Sequence, residues 1–374
     1  MPPEVANLRA QPPGVYLITM GIGDLIWERH GHIEICVRNP DPLDDVCYNY
    51  GIGDFGHPLS MGWGFFRGAN SFWAGKDRPE QMLAIYRIED RTVWAQRLPL
   101  TDEQAQKMIA KLEYDVLEEH KYYAYDHFDD NCSTRIRNII DDVTGGALSS
   151  MPDDTDDRTE REIIREGFAG MPVPLLITDI AMGRSTDHRP TAYELMFLPQ
   201  YLRAAVKKKW GIEPVEIFTR KGPPAPTDGS SGRLGFALII LLMTAPAWAT
   251  RLWGRFQRTG LAIAMVPYLL IGTILTFLAI ISPLPYVKFN ESCLLFLPLD
   301  WCVFFLSPAR RVQYARARVV MIGLFFLLLL VGVLKQPLYA ELAWPLVPMA
   351  VIGFWDSHVA KLRAKPATQT TAAV

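Results

Sequence analysis

The pattern of apolar and polar positions divides the chain into two unlike parts. In the first 219 residues, apolar residues come in short β-rich runs: Val15–Met20, Ile33–Val37 and Val46–Tyr50. The cluster Asn39-Pro40-Asp41-Pro42 separates the last two and predicts a hairpin. Met82–Ile88 and Thr92–Leu98 read as a second hairpin. Thr101 with Gln104 has capping-box spacing and predicts a helix to about Glu119. Asn131 or Asp130 caps a further helix to about Val143, stopped by Gly145-Gly146. Residues 152–166 are acidic and read as a solvated loop and helix, and Ala192–Lys208 as a last helical segment.

Beyond a Pro/Gly/Ser-rich linker the pattern changes. Runs such as Leu-Ile-Ile-Leu-Leu-Met have no polar face, as lipid-facing helices require. Five spans are expected, at Leu234–Trp248, Leu261–Ile281, Cys293–Leu306, Val319–Leu334 and Leu338–Phe354. A crossing needs about 20 apolar residues, which the second meets and the others approach. The expected organisation is a domain at 1–219, a linker at 220–232, an all-α five-helix transmembrane domain at 233–356 and a tail at 357–374.

Charge follows the same division. Residues 1–219 hold 23 Lys+Arg against 35 Asp+Glu, a net −12, whereas residues 220–374 hold 15 against 5, a net +10. An acidic domain without a basic stripe argues against nucleic-acid binding. Arg251, Arg255 and Arg258, then Arg310, Arg311, Arg316 and Arg318, then Lys361, Arg363 and Lys365 fall on alternate loops. The positive-inside rule puts these in the cytoplasm and the first domain outside. The chain starts Met-Pro-Pro-Glu-Val-Ala-Asn without the apolar signal-peptide run that an exported domain is expected to need; a true start further upstream, a removed leader or a cytoplasmic domain are the alternatives. Asp300 inside the third span suits a transport or a structural role. Cys36 and Cys47 can face each other across the hairpin, and two buried thiols are expected there rather than a disulfide.

Cys132 and His32 carry the candidate chemistry. Cys132 opens the predicted helix in Asp-Asn-Cys-Ser-Thr-Arg, where helix-terminal N–H groups favour a thiolate and can line an oxyanion hole. His32, on a predicted strand, is the imidazole to take its proton. His30 shares that strand face, so the spacing alone does not choose between them. Cys36 lies about 13 Å along the strand from His32, too far to be its nucleophile. A small buried cysteine and a structural strand histidine are the plain alternatives. Metal binding is the chemical rival, but His30, His32, His57, His120, His127 and Cys132 form no recognised ligand spacing, and neither metal nor cofactor is expected. Tyr122, Tyr123, Tyr125 and Phe128 read as core and pocket wall, and Trp63, Phe65, Phe66, Phe72 and Trp73 as core, with a place at the membrane interface near an acyl chain as the alternative.

The order of these motifs resembles the extracytoplasmic domain of the Lnb-type lipoprotein N-acyltransferases. The resemblance is carried by Val-Tyr-Leu-Ile-Thr-Met-Gly-Ile-Gly-Asp, by Gly31-His32, by Tyr48-Asn49-Tyr50-Gly51-Ile52-Gly53-Asp54-Phe55 and by Asp130-Asn131-Cys132-Ser133-Thr134-Arg135. Met196-Phe197-Leu198-Pro199 looks like the closing motif, and the spans resemble the membrane domain that follows. The resemblance implies an α+β, papain-like domain in the permuted NlpC/P60-like order. It implies a multi-pass protein of the bacterial inner membrane whose nucleophile, Cys132, takes an acyl chain from phospholipid and passes it to the N-terminal amine of a diacylglyceryl lipoprotein. His32 would be base and acid, Asn131 would support the helix start or the oxyanion hole, and Asp54 or Asn49 would orient His32. Two rival functions remain open: a cysteine hydrolase of the cell envelope, and a membrane receptor or assembly subunit without catalysis.

Overall fold

Among the described residues seven strands form one antiparallel sheet: β1 (Gly14–Met20), β2 (His32–Arg38), β3 (Val46–Ile52), β4 (Ser71–Asp77), β5 (Val93–Arg97), β6 (Tyr122–Ala124) and β7 (Val215–Phe218), in the order β6-β4-β3-β2-β1-β5-β7. The computed structural model describes residues 1–54, 56–69, 71–153, 157–226, 228 and 232–355. Phe55 of the glycine-rich motif, residues 229–231 of the linker, the 357–374 tail with Lys361, Arg363 and Lys365, and the side chains of Phe65 and Phe66 lie outside them.

Both faces of the sheet are covered, which explains why β1 and β2 are buried along almost their whole length. On one face Leu17, Ile33, Ile35 and Tyr48 pack with Met108, Leu112, Ile136, Ile140, Leu202 and Val206. On the other, Ile18, Cys36 and Cys47 pack with Val5, Leu8, Met82, Leu83 and Tyr86. The helices doing this are α1 (Pro3–Arg9), α2 (Pro79–Ile88), α3 (Asp102–Asp115), α4 (Cys132–Val143) and α5 (Pro199–Trp210). β2 and β3 form the expected hairpin, with Cys36 opposite Cys47. These two cysteines are joined in a disulfide, not left as thiols. Such a bond belongs to an oxidising compartment.

The expected second hairpin is not formed. Met82–Ile88 lies in α2, and Val93–Arg97 pairs with β1 instead. Pro79 starts the helix at a position where its missing N–H costs nothing, and the Arg78 N–H is met by the Gln81 side chain. Met82, Leu83 and Tyr86 then share a buried face while Ile85 and Ile88 are exposed, a helical period that a run of β-prone residues hides.

Packing divides the chain into two units. One comprises Met1–Pro174, His188–Ser230 and Ser282–Leu284, the other Leu175–Asp187, Ser231–Ile281 and Pro285–Val374. The segment Leu175–Asp187 therefore groups with the helical part rather than with residues 1–219. Asn290 Nδ2 donates to the carbonyls of Ile180 (2.9 Å) and Ala181 (3.0 Å), and Gln336 Nε2 to that of Met182 (2.8 Å).

Among the described residues of the helical unit three helices are long and apolar enough to cross a membrane: α6 (Arg233–Leu252), α7 (Gln257–Ile281) and α8 (Pro308–Leu330). The expected fifth span is shorter, α9 (Ala343–Ala350) followed by a π-helical turn at Val351–Trp355. The expected third span is not one helix. Residues 292–304 form a helical turn at Ser292–Leu295 and a 3₁₀ stretch at Pro298–Phe304, running back along α7. A Cβ on Gly272 would come within 1.8 Å of the Phe296 carbonyl oxygen, so only glycine admits this approach.

Broken backbone packed among apolar helices needs hydrogen-bond partners. Arg318 provides one, donating to the Leu295 carbonyl at 2.9 Å. It also grips Asp300 with two bonds, Nε to Oδ1 at 2.7 Å and Nη2 to Oδ2 at 2.9 Å. The Tyr314 hydroxyl adds a bond of 2.6 Å to Asp300 Oδ1. Asp300 thus has a structural role here. Arg318 is buried with it and leaves the count of basic loop residues.

Candidate active site

Cys132 is the first residue of α4, and Asn131 is its cap. Asn131 Oδ1 accepts from the N–H groups of Ser133 (2.8 Å) and Thr134 (2.9 Å), and the Asn131 N–H donates to Thr134 Oγ1 at 2.8 Å. Asn131 Nδ2 donates to the carbonyls of His127 (2.6 Å) and Phe197 (3.0 Å). Each polar atom of the side chain is therefore engaged in fixing the helix start and its neighbouring loops. Its amide is not free to serve as an oxyanion donor. Ser133 Oγ donates to the Met196 carbonyl at 2.7 Å, so Met196-Phe197-Leu198-Pro199 closes on the start of α4. Replacing Asn131 with Ala is expected to lower stability by about 0.5–2 kcal/mol from cap loss alone. Melting of this variant against wild type checks it, since an unchanged midpoint would mean that the cap contributes nothing.

His32 opens β2. By strand alternation it shares a face with Glu34, Cys36 and, across the hairpin, Cys47 and Asn49. α4 packs its Ile136 and Ile140 on the opposite face. The two meet at the end of β2 beside Gly51, where the β3–β4 register is irregular and φ is +95°. The position a Cβ on Gly51 would occupy lies 3.5 Å from Cys132 Cβ, 3.7 Å from His32 Cε1 and 3.8 Å from the Tyr123 hydroxyl. Glycine leaves that point empty, and the three side chains face it.

The far nitrogen of His32, Nε2, lies 2.9 Å from Asn49 Oδ1. With Nε2–H donating to Asn49, the lone pair is on Nδ1, the tautomer a general base needs. Of the two residues expected to orient His32, Asn49 makes this contact. Asp54 does not: its exposed carboxylate accepts from the Gly56 N–H at 2.9 Å, in a local turn. The difference is one of register, since Asn49 lies within the β2–β3 ladder while Asp54 follows its end.

Glu34 also reaches His32, a role the sequence does not single out. Its Oε1 is 3.9 Å from His32 Nε2, and the Tyr86 hydroxyl is 3.5 Å from the same oxygen. The Glu34 side chain is buried, which pushes its carboxyl up to about 8, with Asp77 adding to the rise. The available signal was a carboxylate at i+2 from His32 in an otherwise apolar strand. His30, the other candidate base, is packed elsewhere: its ring meets His127 edge-on at 5.1 Å and Phe168 at 4.8 Å.

Burial dominates the electrostatics. It pushes the Cys132 thiol up to about 12, against the N–H groups of Ser133, Ile33 and Cys132 itself, which favour the thiolate. Burial and then Arg91 lower His32 to about 4, against the Asn49 hydrogen bond. The resting pair is thus a neutral thiol and a neutral imidazole, and the helix terminus does not by itself yield the thiolate. The rate of Cys132 acylation is therefore expected to stay level from about pH 7 to about pH 5 and to fall only towards pH 4, as His32 protonates. A rate–pH profile with its acid limb near about 6.5, the ordinary imidazole value, would contradict this environment.

The same shift has a sign for stability. His30, His32 and His127 are all lowered by burial. As pH drops below about 6.5 the unfolded chain takes these protons first, so their contribution, complete above that value, declines, and for His32 and His127 it is lost towards pH 4. Glu34, raised to about 8, acts in the opposite direction, its contribution being lost as pH rises from about 4.5.

Among the described residues the only cluster with metal-ligand spacing is Glu34, Cys36 and Cys47, and its two sulfurs are already bonded to each other. A cavity of about 350 Å³ lined by Gly21, Trp94, Arg220 and Pro224 shares no residue with the Cys132–His32 site. Residues 5–161 match the family model described as the Lnb N-terminal periplasmic domain. No curated protein and no solved structure matches the chain.

Proposed function

Because residues 5–161 match the family model described as the Lnb N-terminal periplasmic domain, we propose that the protein is a membrane-bound thiol acyltransferase with a permuted papain-like catalytic domain outside the cytoplasm. The donor is a phospholipid and the acceptor is the N-terminal amine of a diacylglyceryl lipoprotein. The observation that carries this reading is the convergence of Cys132 and His32 on the space above Gly51, with Asn49 on the far ring nitrogen. The three long apolar helices of the same chain make a lipid the natural acyl source. The Cys36–Cys47 disulfide supports an oxidising compartment for the domain.

In the first half-reaction His32 Nδ1 takes the Cys132 proton as the sulfur attacks the ester carbonyl carbon. The tetrahedral intermediate collapses with loss of the lysophospholipid alkoxide, which receives that proton from His32. A thioester remains on Cys132. In the second half the free amine attacks the thioester carbon, His32 accepts the amine proton, and the departing sulfur takes it back. The products are an amide and the resting thiol. Because the resting groups are neutral, proton transfer accompanies attack rather than preceding it.

The test is to supply phospholipid alone to the purified full-length protein. A lysophospholipid burst equal to the enzyme concentration, with an acyl mass adduct on wild type and none on Cys132→Ser, is the expected result. Fast repeated turnover to free fatty acid would identify a hydrolase that uses water as acceptor. Neither product would leave a binding role for the domain.

A further inference from the structure

An acyl-enzyme site needs donors for the carbonyl oxygen as it gains negative charge. Asn131 has used those of Ser133 and Thr134. At the start of α4 only the Cys132 N–H remains outside the cap. The missing second donor is beside it. The Tyr123 side chain is 8% exposed, and its hydroxyl is buried with no hydrogen-bond partner. That hydroxyl is 3.8 Å from the vacant Gly51 position on which Cys132 Cβ and His32 Cε1 also converge.

The ring cannot easily turn away. β6 pairs with β4, placing Tyr123 opposite Phe72. The Arg135 guanidinium lies over the ring at 3.7 Å from its centroid, and is itself held by two bonds to Asp130, of 2.6 and 2.8 Å. A buried hydroxyl without a partner is unfavourable in the resting protein, and it is retained here where an oxygen would arrive. Burial, then the neighbouring Cys132, raises the phenol above its ordinary value, so it keeps its proton and acts only as a donor.

We propose that the Tyr123 hydroxyl is a catalytic oxyanion donor at Cys132, hydrogen-bonding the carbonyl oxygen of the acyl group while the sulfur–carbon bond forms. No proton leaves Tyr123; the bond shortens as the carbonyl π pair moves onto oxygen, and relaxes when the thioester carbonyl re-forms. The inference rests on Cys132 being acylated, not on the acyl source being a lipid.

The experiment compares wild type with Tyr123→Phe, both full length in detergent, in two reactions of Cys132. Acylation by a p-nitrophenyl ester passes through an oxyanion; alkylation by iodoacetamide does not. The expected result is a loss of about 10²–10³-fold in ester acylation, the effect of removing one such donor, with alkylation near the wild-type rate. Equal acylation rates, or a parallel loss in both reactions, would overturn the proposal, as would a wild-type Cys132 that the ester does not acylate. If Tyr123→Phe fails to fold, 3-fluorotyrosine at position 123 decides: acylation as fast or faster supports the donor role, and slower acylation overturns it. Tyrosine-dependent ester acylation without any adduct from phospholipid would remove the lipid donor and leave this inference standing.

Discussion

Cys132→Ala is expected to abolish acyl-adduct formation altogether, because Cys132 is the one described free thiol in the packing unit that holds His32. Cys36 is in a disulfide, and Cys293 and Cys302 belong to the helical unit. His32→Ala is expected to slow both half-reactions by about 10²–10⁴, the usual effect of losing one acid–base group. The same imidazole serves each half, so the kinetics should stay ping-pong with both halves slowed. Single-turnover measurement of lysophospholipid release, then of acceptor acylation from a preformed acyl-enzyme, separates them. A His32→Ala variant slowed in only one half would show that another group handles the second proton.

Gly51→Ala should be nearly as damaging although glycine does no chemistry. The added methyl would stand 3.5 Å from Cys132 Cβ and 3.7 Å from His32 Cε1, and the backbone φ of +95° is strained for any residue with a side chain. The methyl therefore occupies the space the acyl carbonyl must enter. A displacement of about 1 Å from attack geometry can cost on the order of 10²-fold in rate. Gly62→Ala is the control, since nothing lies within 4 Å of its added Cβ. Acylation of Cys132 in Gly51→Ala at the wild-type rate would place the substrate elsewhere.

The parts of this arrangement that depend on local sequence were legible without a structure. Thr101–Gln104 and Asn131 are caps whose partners lie within three residues, and both helices start where those residues put them. The β2–β3 hairpin follows from its turn residues. What escaped depends on distant pairing. Met82–Ile88 is rich in β-prone residues, and only the packing of Met82, Leu83 and Tyr86 under the sheet makes it a helix. The choice of Asn49 over Asp54 turned on cross-strand register, which a single sequence does not specify. Tyr123 read as pocket wall because nothing in the local pattern distinguishes a phenol that needs a partner from one that has it. Gly51 was visible only as part of a motif, and its use appears once Cys132 and His32 are seen on either side.

In the helical unit the limit was different. Hydropathy finds α6 and α7 well, but a returning chain of short turns has the composition of a span without its hydrogen bonding. Arg318 reads as one of a basic cluster because its acidic partner lies 18 residues earlier in the chain.

The joining of Asp300 to Arg318 bears on how the protein is made. On insertion scales a lone arginine or aspartate near the middle of a bilayer costs about 2.5–3.5 kcal/mol. Asp300 emerges from the ribosome before Arg318, on a segment too broken to satisfy its own backbone in lipid. α8 brings Arg318, and Arg318 in turn satisfies the Leu295 carbonyl. Neither piece is a stable guest in a bilayer alone, so residues 285–330 are expected to enter one together rather than helix by helix. Truncation between Asp300 and Arg318 would then leave the Asp300 carboxylate without its guanidinium and the Leu295 carbonyl without this donor.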